Sequence, residues 1–147
     1  MSTQTVEQRL RLFLLGLAAF LCAGTIVELV LQEHYTEPLQ FVPLLFCAVG
    51  FVLILLVILR PSRATITILR VVMALGVLAS LVGVYEHMEQ NMGFVLDITP
   101  NAPMFDAFME ALRGAAPLLA PGILAIIGAL AWMGTYAHPA VFKRKEI

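Results

Sequence analysis

The chain has 147 residues, of which 61% are apolar and only 13% charged, against roughly 25% charged in an ordinary soluble domain. A mean hydropathy of +0.93, a net charge of −1 and two cysteines exclude a disordered chain, a disulfide scaffold and a soluble nucleic-acid binder. What remains is a small polytopic membrane protein whose charges are distributed very unevenly.

Four stretches offer the roughly 20 mainly apolar residues needed to cross about 30 Å of hydrocarbon: 12–31, 39–59, 66–85 and 117–136. Arg9 and Arg11 precede the first as they would a signal peptide, but its apolar core exceeds the usual ~7–15 residues, and it is read as a retained span. The second carries Pro43 near its start, where proline costs a helix least. Arg60-Pro61-Ser62-Arg63 makes a tight turn into the third span, because Pro61 ends one helix, and the short connection predicts antiparallel neighbours. The third has Arg70 near its start, and the fourth has Pro121 in its first turns.

The long connection 86–116 contains a second kind of signal. Met104, Phe105, Phe108, Met109 and Leu112 recur at helical spacing, with Asp106, Glu110 and Arg113 largely opposite and with Pro103 and Gly114 as start and stop. Residues 103–113 are therefore expected to form an amphipathic interfacial helix. The expected fold is an all-α membrane protein, an antiparallel four-helix transmembrane bundle with this short helix in the outer loop before span four. The spans use most of the sequence, so residues 1–147 are read as one membrane domain.

Basic residues mark the cytoplasmic side of short loops. Arg9, Arg11, Arg60, Arg63, Arg70, Lys143, Arg144 and Lys145 all fall on one side of an even number of spans, leaving Arg113 alone on the other. Both termini are thus expected in the cytoplasm. With Glu7 and Glu146 the inner side carries +6, and the remaining eight acids with Arg113 give the outer side −7. The inner bases suit anionic lipid headgroups rather than nucleic acid.

A set of local patterns resembles a group of small bacterial four-span inner-membrane proteins to which no activity is assigned. They are Glu28 through His34-Tyr35 with Pro38-Leu39-Gln40 and Pro43, Gly83 through His87 with Asn91, Leu119-Ala120-Pro121-Gly122, and Thr135-Tyr136-Ala137-His138-Pro139. The resemblance implies a bacterial inner-membrane setting and a four-helix bundle. It supplies no cofactor or catalytic residue.

The outer ends of spans one and three hold the candidate site. Glu28, Gln32, Glu33 and His34 end the first, and Tyr85, Glu86, His87, Glu89 and Asn91 end the third, with Gln40 opposite at the start of span two. Imidazole with carboxylate suits a divalent transition metal or a proton relay, and Glu28, His34, Glu86 and His87 are the candidate metal ligands. The plainer reading is a set of solvated helix ends. Glu28 lies about one turn inside the apolar stretch and is expected to face the bundle interior beside His34 or His87. Copper on His87, Met88 and Met92, or haem between His34 and His87, are weaker readings of the same residues. The Glu-x-x-His pairs of ferritin-like di-metal bundles are missing. Cys22 and Cys47 lie at similar depth and read as two apolar thiols, with a disulfide between spans one and two as the other reading, and His138 reads as a cap on span four. No phosphate loop, redox Cys-x-x-Cys or nucleophile elbow is found. Two functions stay open: a small integral subunit or accessory protein of a bacterial membrane complex, with a protein partner or a second copy beside it, or a metal- or proton-handling membrane protein.

Overall fold

The structure, a computed structural model, describes residues 3–142. Lys143, Arg144, Lys145 and Glu146, counted above on the inner side, lie outside the described residues. The described chain is all helical, with α1 at Thr3–Leu31, a single 3₁₀ turn at Pro38–Gln40, α2 at Phe41–Leu59, α3 at Arg63–Ile98, α4 at Met104–Ala111 and α5 at Ile123–Thr135. Three helical stretches, Val6–Leu31, Pro38–Leu59 and Arg63–Ile98, are long and apolar enough to cross a membrane.

Local chemistry sets the boundaries. α1 ends because the Glu33 and His34 N–H groups bond back to the Val30 and Leu29 carbonyls at 3.1 and 2.8 Å, with Glu33 in the left-handed region at φ 52°. This is the Schellman closure usually given to glycine. α3 starts at a reciprocal cap: the Thr65 N–H donates to Ser62 Oγ at 3.1 Å, and the Ser62 N–H donates to Thr65 Oγ1 at 3.0 Å. It then runs 36 residues, about 54 Å at the helical rise, far past the end of its apolar stretch at residue 85. Glu86 through Met92 sustain helix as well as the apolar residues before them do. The helix stops at Thr99, which precedes Pro100 and leaves the α region.

The fourth apolar stretch behaves differently. Regular helix begins only at Ile123, and residues 117–122 form successive turns. Pro121 lacks an N–H and biases Ala120 away from the α conformation, so the helix cannot extend back to Pro117. The resulting α5 has 13 residues, about 20 Å of helix.

α1 packs on α2 and α5, and α3 packs on α2, α5 and α4. Among the described residues α1 and α3 make no close backbone approach, whereas α2 also meets α5, so α1, α2, α3 and α5 form a ring with α1 and α3 at opposite corners. Its interior is filled by Leu15, Ala18 and Cys22 of α1, Ile54 and Val57 of α2, Ile66, Leu69 and Met73 of α3, and Ile127 and Ala131 of α5. A second, smaller cluster joins Val95 of α3 to Ala107 and Ala111 of α4, with Met88 and Met92 against it. The end of α3 thus carries α4 on its flank.

Glu33 holds a left-handed conformation that costs a residue with a Cβ about 1–2 kcal/mol. Glu33→Gly should therefore stabilise the protein by about 1 kcal/mol in thermal or denaturant unfolding in detergent. Glu33→Ala, which removes the charge but keeps the Cβ, should stay near wild type. Equal effects of the two substitutions would show that charge, not backbone, decides this position.

Candidate functional site

The residues expected to converge at the outer end do not meet. Glu28 is exposed and accepts a 3.3 Å hydrogen bond from Gln32 Nε2 on the next turn, so it does not face the interior. Gln32 and Glu33 are exposed, and His34 is half-buried in the turn that closes α1. Gln40 is occupied locally: its Oε1 accepts from the Thr36 and Glu37 N–H groups at 2.9 and 3.2 Å. On α3, Tyr85 and Glu89 are exposed, while Glu86 and His87 are half-buried. These two groups of residues sit on α1 and α3, which the ring holds apart at opposite corners. Among the described residues no group of three or more His, Cys, Asp or Glu side chains could hold a metal ion.

Two of the α3 residues instead bind backbone. Asn91 is 4% exposed. Its Nδ2 donates to the carbonyls of Ala111 at 3.0 Å and Ala116 at 2.8 Å, and its Oδ1 accepts from the Ala116 N–H at 3.0 Å. One turn earlier, His87 Nδ1 lies 2.9 Å from the Pro117 carbonyl. A carbonyl only accepts, so Nδ1 carries the proton there. The Asn91 side chain is also why residue 114 is glycine: a Cβ there would run into the Asn91 side-chain amide. Together the two side chains latch the segment after α4 onto α3. The sequence marks both residues as polar at a helix end, but their partners are main-chain atoms with no signature of their own.

A second polar centre lies at the other end of the same helix pair. Arg70, half-buried on α3, donates from Nε to Thr135 Oγ1 at 3.1 Å and from Nη2 to the Thr135 carbonyl at the end of α5. Thr135, fully buried, donates its own hydroxyl hydrogen bond to the Ala131 carbonyl at 2.9 Å. The Arg70 guanidinium carbon sits 5.8 Å from the centre of the Trp132 ring, within cation–π range, and Trp132 Nε1 donates to the Arg70 carbonyl at 3.2 Å. A guanidinium at a helix C-terminus also meets the negative end of the helix dipole. In the sequence Arg70 stands out only as a basic residue near the start of an apolar span.

His138 follows in the turn after α5. Its Nδ1 accepts from the Ala140 N–H at 3.1 Å, so the neutral ring carries its proton on Nε2. Burial, and then the nearby charges of Arg11 and Arg70, push its pKa below the ordinary value. In the ring interior Cys22 and Cys47 are both free and fully buried, and their thiols face each other with Thr25 beside Cys47. No known protein family, curated protein or solved structure matches the chain.

Two expectations follow. Asn91→Ala leaves buried main-chain groups without partners and should cost about 2–4 kcal/mol, with hydrogen-exchange protection lost over residues 104–116. Asn91→Asp should cost more, because it sets a carboxylate against two carbonyls; protection unchanged in both would refute the latch. For His138, the unfolded ring titrates near 6.5 and the folded ring lower, so the unfolded state takes up the proton first as pH falls. Its stabilising contribution is full above about pH 6.5 and is lost as pH drops through the folded value. His138→Gln should flatten that acid-side decline in unfolding temperature relative to wild type.

Proposed function

We propose that the chain is a small integral accessory subunit of a bacterial inner-membrane complex, with α4 as its docking element. In this reading residues 117–136 make a fourth crossing and the helices form an antiparallel bundle with both termini in the cytoplasm. Arg9, Arg11, Arg60, Arg63 and Arg70 then all lie at the cytoplasmic end, as the bias of basic residues favours. α4 lies at the outer interface.

One observation carries the proposal. α3 outlasts its apolar stretch by about three and a half turns, or roughly 20 Å, and α4 is latched to that extension through Asn91 and the Val95–Ala107–Ala111 cluster. The mounted helix turns Ala107 and Ala111 inward and leaves Met104 69%, Phe105 72%, Phe108 43% and Met109 42% exposed. Met and Phe are among the residues enriched where proteins meet, and a rigid mount lowers the ordering cost of docking. Asp106 and Glu110 give the face a charged border. The small volume of the chain and the engagement of His87 and Asn91 with backbone favour this reading over a metal- or proton-handling one.

Native mass spectrometry of gently extracted membranes tests the proposal. The wild-type chain should appear with an identified membrane subunit at fixed stoichiometry. Phe105→Glu with Phe108→Glu should release that subunit while leaving circular dichroism and unfolding temperature close to wild type, because both side chains are exposed. A chain that runs alone, or a variant that retains the same assembly, would refute the role given to α4.

A further inference from the structure

Between α3 and α5 runs an open groove of about 480 Å³, lined by Ala74 and Leu78 on one side and by Ala125, Gly128 and Ala129 on the other, with Trp132 at one end. Small residues on α5 make it: Gly128 lets the two helices approach closely, and Ala125 and Ala129 leave unfilled a strip that leucine would close. The lining side chains are apolar, and the one polar atom on Trp132 is already bonded to the Arg70 carbonyl. The groove belongs to the apolar surface of the helices.

At the Trp132 end the chemistry changes abruptly. The Arg70 guanidinium stands over the same indole ring that closes the groove. A guanidinium has five N–H donors, and the two bonds to Thr135 engage Nε and Nη2, leaving about three donors for another acceptor. Both Thr135 atoms are neutral, and the α5 dipole offsets only about half a charge. Further positive charge lies close by. His138 experiences the fields of both Arg70 and Arg11, and the Arg11 carbonyl lies 3.4 Å from where a Cβ on Gly134 would stand. A cation near the start of an apolar span is costly unless paired, and Arg11, whose field with that of Arg70 reaches His138, adds a second positive charge at this end. Among the described residues the bonded partners of the Arg70 guanidinium are these neutral Thr135 atoms, and it stands at the Trp132 end of an apolar groove.

We propose that this groove and Arg70 form a binding site for one anionic phospholipid, with an acyl chain along the α3–α5 seam and the phosphate on the Arg70 guanidinium in the field of Arg11. The indole of Trp132 marks the boundary between the two, at the depth where tryptophan is enriched in membranes. Free inorganic phosphate would satisfy the guanidinium but not the groove. A zwitterionic lipid would fill the groove but carry no net charge to the basic end.

The test uses the full chain, delipidated in a nonionic detergent and titrated with phosphatidylglycerol or phosphatidylcholine of identical acyl chains, bound lipid being counted by native mass spectrometry. One phosphatidylglycerol should be retained, with a preference of about tenfold over phosphatidylcholine. Ala129→Phe fills the groove from an exposed position away from Arg70 and should abolish retention of both lipids. Arg70→Gln should erase the preference and leave chain binding in place. Should that variant fail to fold, the wild-type protein still decides: the His138 pKa, followed by NMR, should rise on loading phosphatidylglycerol and not phosphatidylcholine, because an added anion offsets the two arginines. Equal retention of the two lipids would overturn the headgroup assignment. Retention unaffected by Ala129→Phe, or displacement of lipid by millimolar inorganic phosphate, would overturn the groove.

Discussion

α3 holds the segment 117–135 at both ends, and the rest of the structure depends on that grip. His87 and Asn91 bind the main chain at Ala116 and Pro117, and Arg70 binds it at Thr135. Between them Gly83 faces Pro121, and Val77 faces Gly128 closely enough that a Cβ on Gly128 would meet Val77 Cγ2 at 2.8 Å. Partner numbers fall on one chain as they rise on the other, so α3 and α5 run in opposite directions in a single register. In hydrocarbon an unbonded main-chain group costs several kcal/mol, and a short helix has as many unpaired ends as a long one. At the C-terminal end of α5 the Thr135 carbonyl is bonded by Arg70 of α3, and at its N-terminal end the first N–H groups bond back to the carbonyls of Ala120 and Pro121.

That grip also accounts for the outer end. With α5 seated on α3 and on α1, α1 and α3 stand at opposite corners and their polar ends are separated. The histidines and carboxylates therefore divide between two local tasks. Glu33 and His34 close α1, while His87 and Asn91 anchor the approach to α5. The same latch holds α4 against the extension of α3.

Much of the architecture was legible in the sequence. The membrane-spanning candidates at α1, α2 and the first part of α3, the turn at Pro61, and a helix over the Met104–Leu112 pattern all follow from apolar runs and helical spacing. Two boundaries misled for physical reasons. Hydropathy ends at residue 85, but the α3 backbone continues because Glu86 through Met92 keep helix propensity. Conversely, 117–122 is apolar enough to read as helix, yet Pro121 prevents it. The candidate site was the least legible part, because it assumed that two helices ending at one level must touch. Adjacency around a ring of helices is decided by long-range packing, such as Gly128 against Met73 and Val77 or Gly134 against Leu15, and no spacing within one helix encodes it. The Arg70–Thr135 clasp escaped for the same reason: its partners lie 65 residues apart in the chain.

The register of α3 against α5 is the claim from which the latch, the clasp and the groove all follow, and cysteine cross-linking in the membrane measures it most directly. In a background where Cys22 and Cys47 are serine, Val77→Cys with Gly128→Cys should cross-link efficiently under a mild oxidant. Val77→Cys with Pro121→Cys, which lies in the turns before α5 and against Gly83 instead, should not. Cross-linking of the displaced pair in preference to the first would contradict the register, and with it the account of how α3 carries α5.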